Sequence, residues 1–165
     1  MSFVMTATPL QMVNVAQFDI EQNARVIQWH VIGMFAPSFI TGVLIARFGV
    51  RPILWSGVIS IGLCLVIALS GHDFWHYFIA LIWLGIGWNF LYVGGSSVIA
   101  SLAEPEERGR VQGVADFIIS GTVAVASLAA GLVHNLFGWQ QLLSYAFVPL
   151  GIIAISLLLI RVKQA

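Results

Sequence analysis

Charged residues are scarce in this sequence. Asp, Glu, Lys and Arg make up 8% of its 165 residues, against roughly 25% in a soluble domain. Residues 26–46, 52–72, 74–103 and 117–160 contain none of the four. A helix needs about 20 apolar residues to cross a bilayer core, so each run is long enough to do so. Seven acidic residues balance seven basic ones, which leaves no net field to attract nucleic acid. The lone cysteine, Cys64, falls inside an apolar run; it cannot form an intramolecular disulfide and is expected as a buried structural thiol. Residues 1–12 have no basic start of the kind that precedes a secretory signal. Period-2 alternation is missing too. Since lipid hydrates no backbone, each run must close its own hydrogen bonds, and without strand alternation that means helices. The fold class expected is an all-α polytopic transmembrane bundle, over residues 1–165 as a single domain.

The segment from Met1 to about Val13 is apolar but short, and it reads as the tail of a helix. A second helix is predicted from about Ala24 to Ala46 with Pro37 near its middle, where a kink is expected because proline lacks the N–H that would pair with a carbonyl one turn back. Further helices are predicted over about Ile53–Ser70, Trp75–Leu102, Pro105–Phe137 and Leu142–Ile160. Pro105 stands where it can open a helix, and Gly138 to Gln141 read as a loop. The count is five full helices and one partial helix. Lys and Arg number two in residues 47–51, none in 71–75, two in 108–110, none in 135–141 and two in 161–163. By the positive-inside rule the basic loops face the cytoplasm, as does the C-terminus, and Arg25 is the one basic residue on the outer side. Trp29, Trp75, Trp139, Tyr77 and Tyr145 gather at the predicted outer ends, as interfacial aromatics do.

The loop motif Gly42-Val43-Leu44-Ile45-Ala46-Arg47-Phe48-Gly49-Val50-Arg51-Pro52 can be read physically. Gly42 permits close helix approach, Gly49 a tight turn, and Arg47 with Arg51 anchorage at an anionic leaflet. Its spacing resembles the Gly-x-Leu-x-Asp-Arg-x-Gly-x-Arg loop of the major facilitator superfamily, with Ala46 in place of the family's acidic residue. The stretch Gly85-Ile86-Gly87-Trp88-Asn89-Phe90, then Val93-Gly94-Gly95-Ser96-Ser97, then Pro105 to Gly113 with Arg108 and Arg110, is similar to the tenth helix, following loop and start of the eleventh helix of such carriers. The resemblance implies the C-terminal half of the fold, from a partial seventh helix through the twelfth. It further implies transport of a small solute by alternating access, in a cell membrane (the inner one if bacterial), with no bound cofactor. Partners implied are membrane lipid, an unidentified small-molecule substrate, and either a complementary six-helix half or a second copy of the chain. The alternative is a truncated non-transporting remnant, or an accessory subunit that packs on another chain.

Polar groups at membrane depth are the candidate functional residues, because leaving one unpaired costs a few kcal/mol. Asn89 lies at the middle of its helix; it either makes an interhelical hydrogen bond or faces a cavity as a substrate contact. Gln28 is the second hypothetical cavity residue. Asp116, about 9 Å beyond Arg110 along the helix, is expected to pair locally with Arg110, Arg108 or the helix N-terminus, the rival role being a proton relay. His30 reads as an interfacial hydrogen-bonding histidine. His72, His76 and His134 have no ligand spacing to acidic or Cys residues, which argues against a metal site. Gly113, Ser120, Ala124, Ser127 and Gly131 fall close to one helical face and are expected as an intrachain packing seam. An intramembrane serine protease is disfavoured: Gly94-Gly95-Ser96-Ser97 departs from a Gly-x-Ser-Gly turn at its fourth position. Ser96 and His134 also fall at opposite depths, beyond the ~3 Å reach of a nucleophile and its base.

Overall fold

The computed structural model describes residues 1–159, all of whose regular structure is helical. Arg161 and Lys163, the predicted basic end of the chain, lie outside the described residues. Helix α1 (Ser2–Pro9) continues into a π-helical turn, Leu10–Val15. Helix α2 (Ile20–Phe35) opens on a capping box: Asp19 Oδ1 accepts from the Gln22 backbone N–H at 2.7 Å, and Gln22 Oε1 accepts from the Asp19 N–H at 3.2 Å. Two otherwise orphaned donors are thereby satisfied. Arg25 pairs with Glu21 one turn back, which neutralises the basic residue on the predicted outer side.

Pro37 interrupts the hydrogen-bond ladder of its helix, as expected, while Ala36 and Pro37 keep helical backbone angles. The helical run stops at Phe35 and restarts as α3 (Ser38–Phe48), because proline supplies no N–H to the carbonyl four residues earlier. Gly49, at φ 84°, ψ 163°, then turns the chain into α4 (Val50–Ser70), a left-handed backbone angle that glycine adopts without penalty. Helix α5 spans Phe74–Leu102. The next helix, α6, is hydrogen-bonded from Arg108 to Leu159 but is broken at Gly138 (φ 79°, ψ 177°). The predicted loop of residues 138–141 is therefore a single-residue reversal, and nearly the same glycine geometry serves after Phe48 and after Phe137. Pro105 does open α6 in hydrogen-bonding terms, since the Arg108 N–H already reaches the Glu104 carbonyl at 3.1 Å.

Helix α5 lies at the centre, parallel to α2 and antiparallel to α4. Their backbones come close at glycines. A Cβ on Gly85 would stand 2.5 Å from the His30 carbonyl oxygen and 2.9 Å from the Met34 nitrogen; one on Gly87 would stand 2.9 Å from the Gly57 carbonyl oxygen. Lipid offers no hydrophobic drive between helices, so close approach through small residues is what holds them. Gly42 is not one of these contacts: it faces open space, contrary to the expectation from the loop motif.

The stretch of α6 after Gly138 runs antiparallel to α4, with Trp139 Nε1 donating to the Ala68 carbonyl at 3.3 Å and Arg51 reaching the Leu157 carbonyl at 3.4 Å. The stretch before Gly138 runs alongside α1, joined by Thr6 to Ser127 at 3.4 Å and by Gln11 to His134 at 3.0 Å. These pairings put the Arg47–Arg51 and Arg108–Arg110 loops at one end of the bundle. At the other end Phe18, Phe74, Tyr77, Phe78 and Trp139 form a cluster. Tyr77 and Trp139 are buried there, whereas Trp29, Trp75 and Tyr145 are exposed in the manner expected of interfacial aromatics.

Candidate functional site

Helices α2, α3, α5 and the first stretch of α6 enclose a cleft of about 540 Å³. Asn89 projects from the middle of α5 toward the Pro37 break and is nearly fully buried. Its Nδ2 donates to the Met34 carbonyl at 2.7 Å and to Ser38 Oγ at 2.5 Å, while its Oδ1 accepts from Thr41 Oγ1 at 2.7 Å. Thr41 Oγ1 lies equally close to the Pro37 carbonyl, so one hydroxyl proton is shared between two acceptors. The amide orientation follows from chemistry, since only the NH2 group can face a backbone carbonyl. One side chain thus bonds the residue before the break and two residues after it. Both expectations for Asn89 meet here: it makes interhelical hydrogen bonds, and it lines the cleft.

Trp88 and Tyr92, one turn apart on α5, stack with ring centroids 5.6 Å apart and planes 23° from parallel. Tyr92 also donates its hydroxyl to Asp116 Oδ1 at 3.1 Å, and Gln112 Nε2 donates to the same oxygen at 3.0 Å. Asp116 therefore takes its partners from α5 and from its own helix, not from Arg108 or Arg110 as the sequence suggested. Arg110 lies with Glu107, Val111 and Val114 around a separate small recess. Met1, Met34, Phe35, Val93, Ile119 and Val123 complete the lining, with Ser38 and Ser120 adding hydroxyls.

Gln28 is not brought to Asn89. It is exposed on α2, seven residues before Phe35, and so lies on the same helical stripe about 10 Å along the axis. The Gly113, Ser120, Ala124, Ser127 and Gly131 face also departs from expectation. Ser120 and Ala124 are exposed, and a Cβ on Gly113 or Gly131 would meet nothing within 4 Å. Only Ser127 is engaged, with Thr6. His30 makes the hydrogen bond expected of it, its Nδ1 donating to the Leu81 carbonyl at 2.8 Å, and it is fully buried within the bundle. His134 is likewise buried, against Gln11. Ser96 accepts from Gln112 at 3.4 Å, which leaves Ser96 and His134 with different partners on different neighbours. Cys64 is buried, as expected.

Sequence reasoning missed the stacking of Trp88 on Tyr92 and the hydrogen bond from Tyr92 to Asp116. The i, i+4 spacing of two aromatics on a helix was the available signal, but which helix would face them was not.

The Major Facilitator Superfamily model matches residues 1–165. The chain is 44% identical over 163 residues to the riboflavin transporter RfnT of Brucella anthropi, covering 99% of this chain and 40% of that protein. It is 31% identical to the uncharacterized MFS-type transporter YddS of Bacillus subtilis, over 98% of this chain and 36% of the relative. It is 32% identical to YdeG of the same organism, also an uncharacterized MFS-type transporter, over 79% and 30%. The chain spans well under half the length of these curated relatives. No solved structure matches it.

Proposed function

Since this chain belongs to the major facilitator superfamily, we propose that it supplies the C-terminal half of an alternating-access carrier and that the cleft between α2, α5 and α6 is its share of the substrate path. The observation that carries this reading is a concave, largely apolar wall with few and convergent polar groups, the usual chemistry of a small-molecule site. In this family, substrate lies near mid-membrane at the interface between two halves. Asn89 sits at that depth, midway along α5, and the uncovered small-residue face of α6 offers a surface on which a complementary half packs. The two basic loops share one end of the bundle, which supports a cytoplasmic assignment for that end by the positive-inside rule.

The substrate proposed is riboflavin or a solute like it. The similarity to a riboflavin transporter supports this, and so does the stacked Trp88–Tyr92 pair, since flat aromatic solutes bind well on aromatic side chains. Asn89 and Ser38 are the proposed polar contacts at mid-depth, and Gln28 extends the same wall outward. A homodimer is the second way to complete the path, because a twofold axis would bring two such walls together.

The test is riboflavin uptake in membranes by the chain alone and by the chain joined to an upstream six-helix half. Uptake by the joined protein only is expected. Equal uptake by both, with crosslinking to a dimer, would favour the homodimer; uptake by neither would refute the substrate assignment.

A further inference from the structure

We propose that Asp116 makes this cleft selective by charge, admitting uncharged flat aromatic solutes and rejecting their anionic, phosphorylated counterparts. The proposal rests on the substrate reading above and adds what that reading leaves open.

Asp116 is the only ionisable carboxylate among the described residues lining the cleft, and no Lys, Arg or His lines it. Its Oδ1 is held by the Tyr92 hydroxyl and the Gln112 amide, which fixes the carboxylate beside the Trp88–Tyr92 stack. A carboxylate has about four acceptor positions, and two donors leave acceptor capacity on the group. An uncharged ring system resting on the aromatic pair can fill that capacity with an imide N–H or a hydroxyl. A phosphate cannot. It brings negative charge toward a fixed carboxylate beside apolar side chains, where like-charge repulsion exceeds that in bulk water, and no Lys, Arg or His side chain of the wall offsets it. The nearest basic residue on α6, Arg110, is about 9 Å back along the helix and borders a different recess with Glu107. Selectivity of this kind works by building a penalty against the wrong ligand, not only contacts for the right one.

Riboflavin and riboflavin 5′-phosphate form a matched pair of probes, differing only by the phosphate. Each is titrated into whichever form of the protein takes up flavin, held in lipid nanodiscs, and binding is read from quenching of flavin fluorescence. Riboflavin is expected to bind at least roughly tenfold more tightly than its phosphate. Asp116→Asn removes the charge but keeps an acceptor, and should bring that ratio below about threefold. Ser120→Lys places an ammonium one turn along α6, where it can pair with Asp116, and should close the gap while leaving the carboxylate in place. Comparable binding of the two flavins by the unmodified protein overturns charge selection alone. So does an unchanged ratio in both variants. Binding of neither flavin overturns the substrate reading and this proposal with it.

Discussion

Replacing Asn89 by Leu removes three hydrogen bonds at once: to the Met34 carbonyl, to Ser38 and from Thr41. Measured side-chain hydrogen bonds between membrane helices average about 0.6 kcal/mol each. A buried carbonyl left without a partner adds a cost of about 1 kcal/mol. The expected destabilisation is therefore about 2–3 kcal/mol, read as a shift in reversible unfolding in mixed detergent–lipid micelles. If Asn89 acts as a splint across the break at Pro37, its contribution must depend on that break. Pro37→Ala restores an N–H to the helix, so Asn89→Leu should cost less in that background, with a coupling of roughly 1 kcal/mol in the double-mutant cycle. A loss below about 0.5 kcal/mol in the single variant would refute the bracing argument. Additivity in the cycle would show that Asn89 and the Pro37 break are independent.

Three other outcomes follow from the same geometry. Gly85→Ala places a methyl against the backbone of His30 and Met34 and should cost about 1–3 kcal/mol by overpacking, whereas Gly95→Ala, with nothing within 4 Å, should be neutral or gain up to ~1 kcal/mol from helix propensity; equal effects would contradict the close approach of α2 and α5. Gly49→Ala and Gly138→Ala each force a left-handed backbone angle on a residue with a Cβ and should each cost roughly 1–2 kcal/mol, measured by the same unfolding assay. In a Cys64→Ala background, Arg51→Cys and Arg110→Cys should both react with a membrane-impermeant maleimide from the same side of sealed vesicles; labelling from opposite sides would overturn the placement of the two basic loops at one end.

How far the sequence could be read depended on whether a feature is local. The turn at Gly49 was legible, because a short loop between two apolar runs demands a tight reversal and glycine is the residue that makes one. Gly42 was misread for the opposite reason. A glycine signals that close approach is possible, but whether a neighbouring backbone takes the opportunity depends on where that neighbour lies, and here the close approaches fall at Gly57, Gly85 and Gly87. The same holds for Asp116. Its arginines are close in sequence, yet one turn of α5 presents Tyr92 to it instead. The burial of His30 and His134 was not legible from their place in the runs, because it is α5 and the turn after α1 that supply their partners.

Composition and spacing alone were enough to show a set of lipid-spanning helices and, among the described residues, their bounds to within a few positions. Transfer into a bilayer is a sum over residues in one stretch, and it needs no knowledge of the rest of the chain. What the rare polar groups do follows from how the helices pack, since a hydrogen bond requires two partners within about 3 Å and those partners lie 24 to 123 residues apart in the chain for Tyr92 with Asp116 and Gln11 with His134.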